Sequence, residues 1–264
     1  MSVKPINFKP YQVGAALGGN LSQARVVIEK AKLFFAGLDR VPSLYTKPGY
    51  TFAEYLPVTS PNIDACLPYQ IDDLLYARES FALHPSANGA VSQKGDGHPW
   101  GSPIYKATFG AALNPICEGF TKWKPSIHMP RWASRLTLEV SEVRVQRLQD
   151  ISAEDAVAEG VYYEAPTADD LDWYRAHAAE HGYDPAEEPM QGIWRAPGTR
   201  QGYGLTKADR DREQWGATAA FAFRCVWNGL HGPEAWDSND WVAAYTFAVH
   251  PCNVDALLRQ RAAA

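Results

Sequence analysis

The sequence is poor in cysteine, with four among 264 residues, at positions 66, 117, 225 and 252. No two of them have the close spacing of a zinc knuckle or of a redox motif. The first residues, "MSVKPINFKPYQ", lack the apolar core of a signal peptide. We therefore expect free thiols in a reducing compartment and a cytoplasmic protein, and we do not expect a disulfide framework.

Long hydrophobic runs and several familiar motifs are also absent from the sequence. No apolar run approaches the roughly 20 residues of a membrane-spanning helix, so we expect no membrane partner. There is no Walker loop, no GxGxxG motif, no GxSxG motif and no HExxH motif. We therefore expect neither a metal nor a cofactor.

Positive charge is scarce overall but is concentrated in one segment. The net charge of −5 excludes a globally basic nucleic-acid binder. Residues 120–147 nevertheless carry six Lys or Arg against two Glu, whereas residues 150–190 carry twelve Asp or Glu against one Arg. The acidic segment 150–190 has two interpretations, a solvated helix face or a docking surface for a basic protein partner.

What the chain does contain is a set of well-bounded strands and helices. Alternation of apolar and polar residues predicts strands within 72–84, 135–148 and 240–250. Helix caps and periodicity predict helices within 10–20, 150–160, 167–182 and 218–232. In 135–148 the alternation slips by one residue, which predicts a bulge near Ser141 and Glu142.

These elements predict an α+β fold, a compact mixed β-barrel with flanking short helices. We predict one domain over 1–264. It carries an irregular loop insertion at about 40–70 and an acidic helical insertion at about 161–202.

The segment "HMPRWASR", residues 128–135, introduces the clearest strand. Arg131 and Arg135 carry planar guanidinium groups whose donors suit phosphate oxygens. Trp132 offers a flat face for base stacking, worth about 1–3 kcal/mol per base. One interpretation is a rim that holds a nucleotide, with His128 as a further phosphate donor.

A purely structural interpretation of the same segment is also open. Trp132 would then fill the core, and the two arginines would pair with Glu139 and Glu142. Composition alone slightly favours this structural interpretation.

Glu79 is in phase with Leu75, Ala77 and Phe81, which the alternation predicts to face inward. A carboxylate on such a face must be paired, hydrogen-bonded or protonated. It would act as a general acid or base, or read amino groups on a base edge. Equally, it would form a structural salt bridge, with Arg25 as the candidate partner.

Four segments of the chain resemble one known family. The segment "WKPSIHMPRWASRLTLEVSEVRVQRLQDISAEDAVAEG" closely resembles the signature of ASCH-domain proteins, which are often encoded by phages and prophages. The segment "LLYARESF" resembles the family's strand ending in Arg-Glu-Thr-Trp, and "WNGLHGPEAWDSNDWVAAYTF" resembles its closing segment. The segment "INFKPYQVGAALGGNLSQARVV" is similar to a weaker copy of its opening motif.

The resemblance implies a PUA-like β-barrel, whose relatives bind RNA or modified nucleobases in a cleft between barrel and helix. Some family members resemble hydrolases, either an amidohydrolase acting on an acylated cytidine or a ribonuclease. These use a Lys and a Thr of the opening motif and the Glu that ends the strand. Here Glu79 and Arg25 are kept and Ser22 stands at the first Thr. Leu21 stands in place of the Lys and Ala24 in place of the second Thr, which disfavours hydrolysis.

We therefore predict binding of RNA, single-stranded DNA or a modified nucleotide in a PUA-like cleft. The predicted binding residues are Arg25, Lys124, His128, Arg131, Trp132 and Arg135. If the protein is encoded by a phage or prophage, as the resemblance implies, it acts in the cytoplasm of the bacterial host. Two alternatives stay open. One is an ASCH-type hydrolase with Glu79 as the catalytic residue, and the other is a phage morphogenesis or interaction protein that uses segment 150–190.

Overall fold

The computed structural model describes residues 2–28, 44–47, 50–53, 67–83, 103–110, 114–115, 121–182, 184, 192–195 and 218–263. The chain divides into two units, one formed by 1–147 with 240–264 and the other by 148–239. Most of the predicted loop insertion at about 40–70 lies outside the described residues. The part that is described includes two short strands.

The first unit is a mixed β-sheet with short helices. Its described strands are β1 (Val3–Asn7), β2 (Gln23–Val27), β3 (Leu44–Lys47), β4 (Tyr50–Ala53), β5 (Leu74–Arg78), β6 (Phe81–Leu83), β7 (Pro103–Tyr105), β8 (Thr137–Arg147) and, at the end of the chain, β11 (Trp241–His250). Its described helices are α1 (Pro10–Leu17), α2 (Lys106–Phe109) and α6 (Val254–Ala263). The main path of the sheet is β1-β5-β8-β11-β2, with β4 also paired to β8 and β3 to β4. The strands β6 and β7 form a separate ribbon.

The apolar alternation of the central strand β8 shifts by one residue part of the way along. Its fully buried apolar side chains are Leu138, Val140, Val143 and Val145. On β11, Thr246 lies opposite Glu142. The next residue, Phe247, lies opposite Val140, so Ser141 is the extra residue of a β-bulge. The predicted bulge is confirmed, and it keeps both halves of the strand facing one core.

The sheet is open. The strands β1 and β5 run parallel, as do β4 and β8, whereas β11 is antiparallel to both of its neighbours. In the described part of the chain the end strands β1 and β2 do not pair with each other. The α+β class is confirmed, but in the described residues the predicted mixed β-barrel is an open sheet. Alternation reports which face a strand buries and does not report whether the end strands meet.

The second unit contains α3 (Ala153–Ala158), β9 (Tyr162–Glu164), α4 (Ala168–His181), β10 (Ile193–Arg195) and α5 (Ala219–His231). The predicted helix ends are confirmed. Ser152 Oγ accepts from the Asp155 N–H at 3.1 Å, and Thr167 Oγ1 accepts from the Asp170 N–H at 3.2 Å. Gly182 ends α4 with a φ of +77°, a conformation that a residue with a Cβ rarely adopts.

Asp73 fastens the start of the chain to the turn before β5. Its carboxylate is buried and accepts hydrogen bonds from Ser2 N at 2.9 Å, Ser2 Oγ at 2.7 Å, Lys4 Nζ at 2.8 Å and Gln70 N at 3.0 Å. Burial raises the pKa of Asp73, but the hydrogen bonds outweigh it and hold the pKa at about 2.

Replacing Asp73 by asparagine is expected to lower the free energy of unfolding by about 2 kcal/mol at pH 7. The carboxyl binds its proton less readily in the folded state than in the unfolded state, where the pKa is 3.8. The wild-type advantage is therefore present above about pH 4 and is lost as the pH falls toward 2. Urea unfolding at pH 7 and pH 2 measures it. An equal difference between wild type and Asp73→Asn at both pH values would contradict the carboxylate as its source.

Candidate nucleic-acid interface

The basic segment before β8 forms two short 3₁₀ turns, Ser126–His128 and Arg131–Ala133. We call residues 121–135 the rim. Each turn follows a proline, Pro125 or Pro130, whose ring fixes the backbone angle φ. The rim contains no Asp or Glu, and its cationic residues are Lys122, Lys124, Arg131 and Arg135. The rim is therefore short, is stiffened by two prolines, and carries formal charge of positive sign only.

Several rim side chains face solvent. Lys122, Lys124 and His128 are exposed, and Ile127 is 58% exposed. The Arg131 side chain is 39% exposed. These groups give the rim a positively charged outer surface with one apolar side chain in it.

The backbone of the rim is anchored to β5 and β6. Phe81 and Lys124 exchange two backbone hydrogen bonds, at 3.1 and 2.7 Å. The Arg78 guanidinium donates from Nη1 to the Ile127 carbonyl oxygen at 3.2 Å and from Nε to Asn7 Oδ1 at 3.1 Å. The exposed cations therefore stand on a backbone that the sheet holds in place.

Glu79 is 2% exposed and forms a two-pronged ion pair with Arg135. Arg135 donates from Nε to Oε1 at 2.8 Å and from Nη2 to Oε2 at 3.0 Å. Burial raises the pKa of Glu79, and the hydrogen bonds and charge of Arg135 oppose that rise. The predicted inward direction of Glu79 is confirmed. The suggested partner Arg25 is wrong, because both carboxylate oxygens accept hydrogen bonds from Arg135.

Tyr105 completes the surroundings of this ion pair. The Arg135 guanidinium carbon lies 4.0 Å from the centre of the Tyr105 ring, and the phenol donates to the Ala133 carbonyl oxygen at 2.9 Å. Arg135 Nη1 also donates to Thr108 Oγ1 at 2.9 Å. Burial raises the pKa of Tyr105 to about 12 against the lowering effect of Arg135, so the phenol is protonated at neutral pH. The Arg135 guanidinium is thus held by Glu79, Thr108 and the Tyr105 ring.

The structural interpretation of the rim holds only in part for Trp132, which does not enter the main core, and it is wrong about the partners of the arginines. Trp132 is half-buried and packs on a cluster formed by Phe81, Leu83, Met129 and Ala133. Arg131 pairs with Asp255, at 2.5 Å between Nη2 and Oδ1. Neither arginine pairs with Glu139 or Glu142 among the contacts of the described residues.

Those two acids have other partners. Arg261 donates to both oxygens of Glu139 at 2.9 and 2.6 Å, and His250 Nε2 lies 3.0 Å from Oε2. The Arg261 hydrogen bonds are the main cause of a lowered pKa at Glu139. Glu142 lies 3.8 Å from Arg144 Nε.

The opening segment contributes to the core. Leu21 and Ala24, which the predicted ASCH resemblance aligns with a Lys and a Thr, are 2% and 3% exposed in the main hydrophobic cluster. Arg25 lies on β2 opposite Ala244 of β11 and is 8% exposed. No described contact joins Arg25 to the rim, and its binding role stays a prediction.

Two residues that sequence reasoning missed organise one end of the rim. Asn253 donates from Nδ2 to the carbonyl oxygens of Arg131 at 2.8 Å, Trp132 at 3.4 Å and Ser134 at 3.0 Å. Its Oδ1 accepts from the Asp255 N–H at 2.9 Å. The only available signal was an Asn-x-Asp helix start after a strand, and that pattern does not name its distant partners.

The predicted protein-docking segment 150–190 includes α4. The acids Asp169, Asp170, Asp172 and Glu180 are exposed on this helix, and Trp173 is 62% exposed. A basic partner for this segment stays a prediction.

Within the described ranges, no group of three or more His, Cys, Asp or Glu side chains is arranged to hold a metal ion. In the same part of the chain, no helix has the length and apolarity needed to cross a membrane. Comparison with protein-family models, curated proteins and solved structures finds no significant match to this chain.

Proposed function

We propose that the protein binds nucleic acid or a nucleotide through the rim, in a site related to the cleft of PUA-like proteins. The observation that carries the proposal is the acid-free rim, which exposes Lys122, Lys124 and His128 on a backbone anchored to the sheet. Membership of the ASCH family, a phage or prophage origin and a bacterial cytoplasmic location belong to the same proposal.

The charges favour contact with phosphates over recognition of a base by Glu79. Lys122 and Lys124 are exposed, so they are open to a phosphate oxygen, and the Lys124 ammonium lies 6.0 Å from the centre of the Phe81 ring. The Glu79 carboxylate, by contrast, is sealed and fully engaged by Arg135. For the same reason, and because Leu21 and Ala24 are core residues, hydrolysis is not part of the proposal.

Binding through phosphates makes affinity depend on salt, because each neutralised phosphate releases counterions. For a single strand, the logarithm of affinity falls with the logarithm of salt concentration by about 0.7 for each phosphate contact. Replacing both Lys122 and Lys124 by glutamine is expected to make this slope shallower by about 1.4 and to weaken binding at 100 mM salt about tenfold. Fluorescence anisotropy with labelled 12-nucleotide RNA and DNA single strands measures both quantities.

A matched control is Arg175→Gln with Arg195→Gln, which removes the same charge from the second unit. We expect the control to keep the wild-type affinity and slope. Equal weakening in both double variants would assign the effect to net charge and count against the rim. Absence of binding by the wild type at 50 mM salt would refute the proposed function.

A further inference from the structure

Arg131 and Asp255 meet in the planar two-pronged arrangement that arginine also uses for phosphate. Arg131 donates from Nη2 to Oδ1 at 2.5 Å and from Nε to Oδ2 at 3.2 Å. The side chains are 39% and 44% exposed. A phosphate bound by the same fork would need the position that the Asp255 carboxylate occupies.

Asp255 is not part of the rim in sequence. It lies in the first turn of α6, whereas Arg131 lies 124 residues earlier in the chain. The rim itself has no acidic residue, and its other arginine, Arg135, is committed to Glu79. The carboxylate is therefore brought by the fold to the one rim arginine whose side chain is substantially exposed.

The pair is placed so that it can open without moving the rim. Both side chains are partly exposed, so an anion from solvent can reach the pair and compete for Arg131. The backbone beside it is held independently, because Asn253 donates to the carbonyl oxygens of Arg131 and Ser134. Release of the Arg131 side chain thus leaves its Cα position fixed.

We propose that Asp255 is a specificity-determining residue, an internal competitor for the phosphate that Arg131 would bind. This rests on the proposed function of the rim. A single phosphate gains Arg131 only by displacing the carboxylate. A phosphodiester chain is held by Lys122 and Lys124 and can bind while the Arg131–Asp255 pair stays closed. The rim therefore favours an extended polyanionic strand over a mononucleotide.

The test is Asp255→Asn, which keeps the size of the side chain and removes its charge. We expect three- to tenfold tighter binding of the 12-nucleotide strand and a salt slope steeper by about 0.7, one added phosphate contact. We expect the affinity for uridine monophosphate to rise by a larger factor. The ratio of the strand affinity to the mononucleotide affinity should therefore be smaller in the variant than in the wild type. Anisotropy measures the strand, and competition by the mononucleotide measures the second affinity.

Two further variants separate this effect from a loosened helix. Arg261→Gln removes another ion pair of α6, to Glu139, without freeing Arg131, and should leave both affinities unchanged. Asp255→Asn in an Arg131→Gln background should give no gain, because the gain requires the arginine. If Asp255→Asn lowers the melting temperature by more than 10 °C, Asp255→Ser takes its place in the series.

The outcomes distinguish a failure of the competitor role of Asp255 from a failure of nucleic-acid binding by the rim. If the wild type binds the strand through Lys122 and Lys124 while Asp255→Asn changes neither affinity nor slope, the competitor role is refuted and the proposed function stands. A gain that persists without Arg131 also refutes it. If the wild type binds no strand, both proposals fall together.

Discussion

Replacing Arg135 by alanine is expected to lower the free energy of unfolding by about 3–5 kcal/mol, as when one partner is removed from a buried ion pair. The variant leaves the Glu79 carboxylate, 2% exposed, without the two hydrogen bonds it receives from Arg135. It also removes the guanidinium from the face of the Tyr105 ring. Urea unfolding at pH 7, followed by tryptophan fluorescence, measures the loss.

The stability lost in Arg135→Ala should also depend on pH. Without Arg135, burial alone acts on Glu79 and raises its pKa further above the unfolded value of 4.5. The folded variant then binds a proton more readily than the unfolded chain, so its stability falls as the pH rises through that interval. The deficit relative to wild type should therefore be smaller at pH 4 than at pH 7.

Two controls bracket the expected loss. Arg261→Ala breaks a more exposed pair with Glu139 and should cost less than about 1 kcal/mol. Combining Arg135→Ala with Glu79→Gln should recover part of the loss, because a buried amide is less costly than an unpaired charge. A deficit for Arg135→Ala no larger than that of the Arg261 control would show that the Glu79 charge is not buried in solution.

The second large effect is expected for Asn253→Ala, which should lower the free energy of unfolding by about 3 kcal/mol. The amide has two N–H donors, so its contacts with three carbonyl oxygens of the segment 131–134 amount to about two hydrogen bonds. Its Oδ1 accepts one more from the Asp255 N–H, and each hydrogen bond contributes about 1 kcal/mol. Loss of the amide also leaves these acceptors short of a donor where the rim meets α6. Chemical unfolding gives the magnitude.

The variant Asn253→Asp separates the role of the amide donors from that of the side-chain oxygen. Asn253→Asp retains an oxygen for the Asp255 N–H but has no donor for the three carbonyls, so it should be at least as unstable as the alanine variant. The matched control is Asn7→Ala, since Asn7 is exposed and accepts one hydrogen bond from Arg78. Its expected cost is below about 1 kcal/mol. Wild-type stability in Asn253→Asp would mean that the donors of Asn253 do not stabilise the rim.

Local structure was predictable because local chemistry determines it. The bulge at Ser141 follows from a one-residue slip in alternation, and the caps at Ser152 and Thr167 follow from side chains that reach their own backbone. Gly182 ends a helix because glycine adopts a positive φ without strain. Each of these signals lies within a few residues of its effect.

The partners in the candidate site were not predictable, because they join distant parts of the chain. Glu79 was correctly expected on the inner face, but Arg25 and Arg135 are equally plausible partners in a sequence. Only the packing of the rim on β6 and β7 selects Arg135. The meeting of Arg131 with Asp255 depends on where α6 begins after β11, which no pattern in the rim reports. The openness of the sheet is likewise a property of the whole fold.

The ladder between β8 and β11 has a consequence for how the chain is assembled. Arg147, the last residue of β8, lies opposite Trp241, the first of β11. Adjacent strands are about 4.8 Å apart, so residues 148–239 leave and re-enter the sheet through a gap no wider than a hairpin turn. Pairing of β8 with β11 therefore requires only that the two ends of residues 148–239 lie one strand spacing apart, a condition that a two-residue turn also meets.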